Sequence, residues 1–129
     1  MKAVIPFEID AWDDAPPIEH DGLQIARVQV RKRLTGDLPG TSVVELVSLL
    51  VQGAPTAYVA LERVDGTLAG KTGSFVFRHV TAVTSEEPPV VLRVIPGSGT
   101  GQLAGITGEG TIEIDDDGTH TLTLDYELD

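Results

Sequence analysis

The stretch Pro96-Gly-Ser-Gly-Thr-Gly-Gln-Leu-Ala-Gly-Ile-Thr-Gly-Glu-Gly110 carries glycine at positions 97, 99, 101, 105, 108 and 110, between two β-branched runs. Glycine at this density lets a backbone take left-handed and strained conformations, as a sheet requires where it turns a sharp corner or closes on itself. The segment therefore predicts a barrel. It names no substrate.

The rest of the chain agrees with a β reading. Period-two segments rich in Val, Ile, Thr and Leu recur, and no window carries a 3.6-residue stripe. Strands are predicted over Lys2–Trp12, Leu23–Leu34, Thr41–Gln52, Thr56–Asp65, Gly73–Val83, Pro88–Gly97, Gly108–Asp115 and Thr119–Leu128. Turn chemistry separates them, as in Asp13-Asp14-Ala15-Pro16-Pro17, Gly53-Ala54-Pro55, Ser85-Glu86-Glu87 and Asp115-Asp116-Asp117-Gly118. Short connections between eight strands predict an all-β, eight-stranded antiparallel up-and-down barrel in which the first and last strands pair and no edge remains. Its interior is wide enough to be filled by side chains or to hold one small ligand. At 129 residues the chain fits a single domain, residues 1–129.

Composition narrows the function classes. Twenty acidic against nine basic residues give a net charge of −11, a field that repels phosphate backbones and anionic lipid, so neither nucleic acid nor membrane is an expected partner. The one basic cluster, Arg27, Arg31, Lys32 and Arg33, reads as the solvated face of a strand. The absence of cysteine excludes disulfides, thiolate metal sites and cysteine nucleophiles. The N-terminal Met-Lys-Ala-Val-Ile-Pro lacks a long apolar run, so a soluble, cytoplasmic protein is expected.

Gly-x-Leu-x-Gly occurs three times, at Gly36–Gly40, Gly66–Gly70 and Gly101–Gly105. The spacing approximates one strand-turn-strand unit and predicts that the copies lie at one end of the barrel, as similar corners. A phosphate-cradling loop is not indicated, because no Lys-Ser/Thr follows these glycines and no helix follows to hold an anion.

Several segments together resemble the bacterial family known as domain of unknown function 3224, whose members are similar to the allene oxide cyclase barrel. They are Phe7–Asp14, Leu61-Glu62-Arg63 through Gly66–Gly70 to Gly73-Ser-Phe-Val-Phe-Arg-His79, Pro96–Gly110, and His120–Leu128. The resemblance implies an eight-stranded antiparallel barrel and no settled reaction. Relatives by fold guide cyclisations, couple radicals or shape cycloadditions, and fold analogy does not choose among them.

Strand alternation singles out the chemistry-bearing residues. Tyr58, Ala60 and Glu62 share one face and Val59, Leu61 and Arg63 the other. If the first face is internal, Glu62 is a carboxylate in an apolar barrel, either poised as an acid or base or held ionised in a structural pair with an arginine such as Arg93. His79 shares a face with Phe75 and Phe77 and is the second catalytic candidate, against the reading of a hydrogen-bonded core histidine. Trp12, Tyr58, Phe77 and Arg93 are the candidate ligand-binding residues. Arg93 lies between Val91 and Ile95; on an internal face it would need Glu62 or Glu45 as a partner. No cofactor and no metal are expected, since His20, His79 and His120 are far apart in sequence and lack ligand spacing.

Two classes of function follow: a small-molecule barrel acting as a cofactor-independent cyclase or isomerase on an apolar metabolite such as a polyketide, or a non-catalytic binding or structural barrel. Val44, Leu46 and Leu50 oppose Val43, Val47, Leu49 and Val51 along one strand, and Val90, Leu92 and Val94 oppose Val91 and Ile95 along another. Only one set in each can fill the barrel, so a homo-oligomer, dimer or trimer, is expected.

Overall fold

The computed structural model describes residues 1–82 and 91–128 and contains no helix among them. Ten strands run in chain order: β1 Lys2–Asp14, β2 Ile18–His20, β3 Leu23–Leu34, β4 Gly40–Val51, β5 Ala54–Leu68, β6 Lys71–Ala82, β7 Val91–Val94, β8 Thr100–Gly101, β9 Thr107–Ile114 and β10 His120–Glu127. Eight of them close a ring, each antiparallel to its neighbours, in the order β1-β10-β9-β7-β6-β5-β4-β3, with β3 returning to β1. The barrel is the up-and-down meander that the alternating pattern predicts. The start of the strand expected over Pro88–Gly97, the end of that over Gly73–Val83, and the Ser85-Glu86-Glu87 turn lie outside the described residues.

The two further strands arise from segments read in sequence as connections. β2 pairs with β3 through Asp21-Gly22, both at positive φ, the two-residue hairpin turn for which Asp-Gly is suited. It continues the line of β1 along the same edge of β3, since Ala15 N–H donates to the Arg27 carbonyl just beyond the last β1–β3 pair. β8 lies on β6, opposite Gly73 and Ser74. A Cβ at Gly73 would strike the Thr100 carbonyl, so this close approach requires glycine.

The glycine-rich segment carries Leu103 and Ile106 into the core. Leu38 and Leu68, at the centres of the other two Gly-x-Leu-x-Gly copies, are buried in the same cluster. The first two copies meet where Gly40 pairs with Gly66, and the third lies against the start of β6, where Gly101 pairs with Gly73. Together with Phe75, Phe77, Ile5 and Leu124 they fill one end of the barrel.

A second, smaller cluster of Val28, Val30, Val44 and Ala60, joined by Leu46 and Tyr58, occupies the other end. Between the two clusters the inward positions turn polar: Lys32 stands between Val30 and Leu34 on β3, and Glu62 between Ala60 and Val64 on β5. Among the described residues no helix is long and apolar enough to cross a membrane.

Candidate functional site

The polar layer is a four-residue network on four strands. β3 contributes Lys32, β4 Ser42, β5 Glu62 and β6 His79, all buried. His79 Nε2 lies 2.9 Å from Glu62 Oε1, Ser42 Oγ donates to Oε2 at 2.6 Å, and Lys32 Nζ is 3.3 Å from Oε2 and 3.4 Å from Oε1. The ammonium also sits 4.4 Å from the centroid of the Phe7 ring, a cation–π contact in a desolvated setting.

Electrostatics fix the protonation of the acid. Burial pushes the Glu62 carboxyl up, but the His79 hydrogen bond, the Lys32 and His79 charges and the Ser42 hydroxyl outweigh it and hold the group down at about 2. Ionised, the carboxylate can only accept, so His79 Nε2 must carry a hydrogen and Nδ1 is the ring atom left to take or hold a second proton. Burial and the Glu62 charge both raise Tyr58, keeping its phenol a donor at neutral pH.

Above this layer, at the less filled end, is a pocket of about 160 Å³ lined by Phe7, Ile9, Trp12, Val30, Lys32, Val44, Leu46, Tyr58, His79, Ile112 and His120. A β-bulge in β1 aims Trp12 at it. Ile9 pairs with Lys32 and Ala11 with Arg31, so Asp10 is the extra residue and Trp12, not Ala11, stands opposite the inward Val30. The indole is 54% exposed at the mouth and donates to Asp14 Oδ1 at 3.2 Å. His120 tilts against Phe7, with ring centroids 5.3 Å apart.

Of the residues singled out in sequence, Tyr58, His79 and Trp12 line this pocket, and Glu62 lies under it, bonded to two of its lining residues. Phe77 is in the filled end, edge-on to Phe75 at 5.1 Å, and does not line the pocket. Arg93 is on the outer face, 2.8 Å from Glu109 of the neighbouring β9. The internal pairing considered for Arg93 is therefore corrected: alternation on β7 turns Leu92 and Val94 inward and Arg93 out. Glu45 is also exposed and accepts from Gln29.

The reading of Arg27, Arg31, Lys32 and Arg33 as one solvated face is likewise corrected at Lys32. The three arginines are exposed, but Lys32 shares the inward face with Val28, Val30 and Leu34. That signal was present in the sequence, since Lys32 is flanked two residues away on each side by an aliphatic. Phe7, between Ile5 and Ile9, carries the same signal, whereas Ser42, with Gly40 on one side, does not. Among the described residues no group of three or more His, Asp or Glu side chains is placed to hold a metal.

No curated protein matches the chain. The crystal structure of a protein of unknown function of the DUF3224 family from Shewanella oneidensis MR-1 is similar over 100% of this chain and 98% of its own, at 28% identity and a TM-score of 0.86. A structure of pyocyanin demethylase aligns over 98% of this chain and 100% of its own, at 12% identity and a TM-score of 0.41. The family model described as "Protein of unknown function (DUF3224)" matches residues 3–126. The chain thus belongs to the DUF3224 family.

Proposed function

We propose that this barrel binds a small, largely apolar molecule in the pocket above Glu62, and that His79 moves a proton on it in a cofactor-independent isomerisation or ring closure. One observation carries the reading: an ion-paired carboxylate, 2% exposed, closes the base of an apolar pocket through a histidine that lines it. A buried ion pair is generally no more stabilising than apolar residues of the same volume, so packing alone gives no reason for Lys32 and Glu62. A buried carboxyl held well below its ordinary range at the base of a pocket is a pointer to a working site.

In this reading Glu62 is a positioning residue. It fixes the tautomer and plane of His79, while Tyr58 supplies a hydrogen-bond donor and the aliphatic walls exclude water. Catalysis of this kind draws on orientation and fixed electrostatics and needs no bound group.

A non-catalytic binding barrel is the second reading. It is favoured by the pocket's volume of about 160 Å³, below the roughly 300–1,000 Å³ usual for ligand sites. Trp12, the only tryptophan, reports on both. Its fluorescence should change on titration with single-ring aromatic probes, and His79→Gln, whose amide can still donate to Glu62 but cannot relay a proton, should abolish turnover of any substrate that wild type converts. Absence of a response to every such probe, with no chemical-shift change at Tyr58 or His79, would reject the pocket as a ligand site.

A further inference from the structure

We infer that the ligand of this pocket is a small monoanion, an apolar ring or branched body carrying one carboxylate or enolate-like head that docks on Lys32; the inference rests on the pocket being a ligand site. The polar side chains lining the pocket are Lys32, Tyr58, His79, His120 and Trp12, and each offers a hydrogen-bond donor or a positive charge. No Asp or Glu lines it, although acids outnumber bases twenty to nine in the chain. The nearby acid, Glu62, is already engaged by His79, Ser42 and Lys32.

Lys32 has capacity left for an incoming acceptor. An ammonium donates three hydrogen bonds, and the partners found for it are one carboxylate at 3.3–3.4 Å and the face of Phe7. Glu62 offsets the Lys32 charge without using all of its N–H groups, so an incoming head group meets the spare Lys32 donors beside the ring and hydroxyl groups of His79, His120 and Tyr58. Ile9, Val30, Val44, Leu46 and Ile112 form the apolar walls. About 160 Å³ is close to the roughly 150 Å³ of an apolar cavity that admits benzene, so the body is one ring or a short branched chain.

The test compares benzoate with benzamide and toluene, similar in shape and differing in head group, titrated into the full chain by Trp12 fluorescence and calorimetry. Benzoate should bind at least about tenfold more tightly than benzamide, the factor expected for about 1.4 kcal/mol from one charge-assisted contact. Lys32→Met alone strands Glu62 and can unfold the barrel. The double variant Lys32→Met with Glu62→Leu keeps the interior neutral, and there the preference should collapse while toluene binding persists. If benzamide or toluene binds wild-type protein as well as benzoate, or if the double variant keeps the preference, the anionic head is wrong and the pocket stands. If none of the three binds, the pocket reading fails and this inference with it.

Discussion

Lys32 and Glu62 meet across an intervening strand: the lysine is on β3, the carboxylate on β5, and Nζ reaches to 3.3 Å from Oε2 over the inner face of β4, whose Ser42 donates to the same oxygen. Neighbouring strands are about 4.8 Å apart, so the pair spans two strand spacings and ties together a wall that main-chain hydrogen bonds link only pairwise.

Removing one partner should be more costly than removing both. Glu62→Gln leaves the Lys32 ammonium buried without a counter-charge and should lower unfolding free energy by about 3–5 kcal/mol, while Lys32→Met with Glu62→Leu strands no charge and should cost clearly less, what remains being the Ser42 hydroxyl and His79 N–H that lose their acceptor. Urea denaturation of the three proteins decides this. A single variant as stable as wild type would show that the pair is solvated.

The pH dependence has a definite sign. The folded pKa of Glu62, about 2, lies below the ordinary 4.5, so the group's stabilisation is complete above pH 4.5 and is lost as pH falls from there through 2. A shift of this size corresponds to about 3 kcal/mol. Acid titration of urea stability should show a loss of that order in wild type beyond whatever the double variant loses. Parallel curves would refute the depressed value.

Arg93 and Phe77 should separate sharply. Arg93→Ala removes an exposed pair with Glu109 and should change stability by less than about 0.5 kcal/mol, with no effect on probe binding. Phe77→Ala empties a fully buried site and should cost about 3–5 kcal/mol. Thermal and urea melts give both values.

Val47, Val59 and Val80 form a cross-strand row on the outer face, Val80 being 61% exposed. Next to it stand Leu61, Arg27, Arg78 and Glu45. A rim holding both charge signs around an apolar row suits a second copy of this chain, which we propose as its cover. Light scattering should then give a multiple of the chain mass, and Val59→Lys should return it to monomer. A monomer at all concentrations would remove the proposal.

How much was legible depended on what alternation can say. It placed Tyr58, Ala60 and Glu62 on one face, and Phe75, Phe77 and His79 on another, and the structure turns both faces inward. It could not say which cation reaches Glu62, because Lys32 and Ser42 come near it only through β-sheet register and barrel curvature. Nor could it find the bulge at Asp10, where one extra residue reverses the faces that follow and brings Trp12 over the pocket. Val90, part of the association argument, lies outside the described residues.

The β1–β10 seam also bears on how the chain acquires its shape. β1 can pair with β3 as soon as roughly the first quarter of the chain exists, whereas its other edge waits for partners such as Leu122 and Leu124, opposite Ile5 and Ala3. Until those residues arrive the molecule is a curved open sheet with an unsatisfied edge, and the most sequence-distant contacts must form before the core is sealed. Slow, seam-limited closure is the expected kinetic signature. The vulnerable species is then the nearly complete sheet, whose free β1 edge can accept a strand from another chain before its own final strand docks.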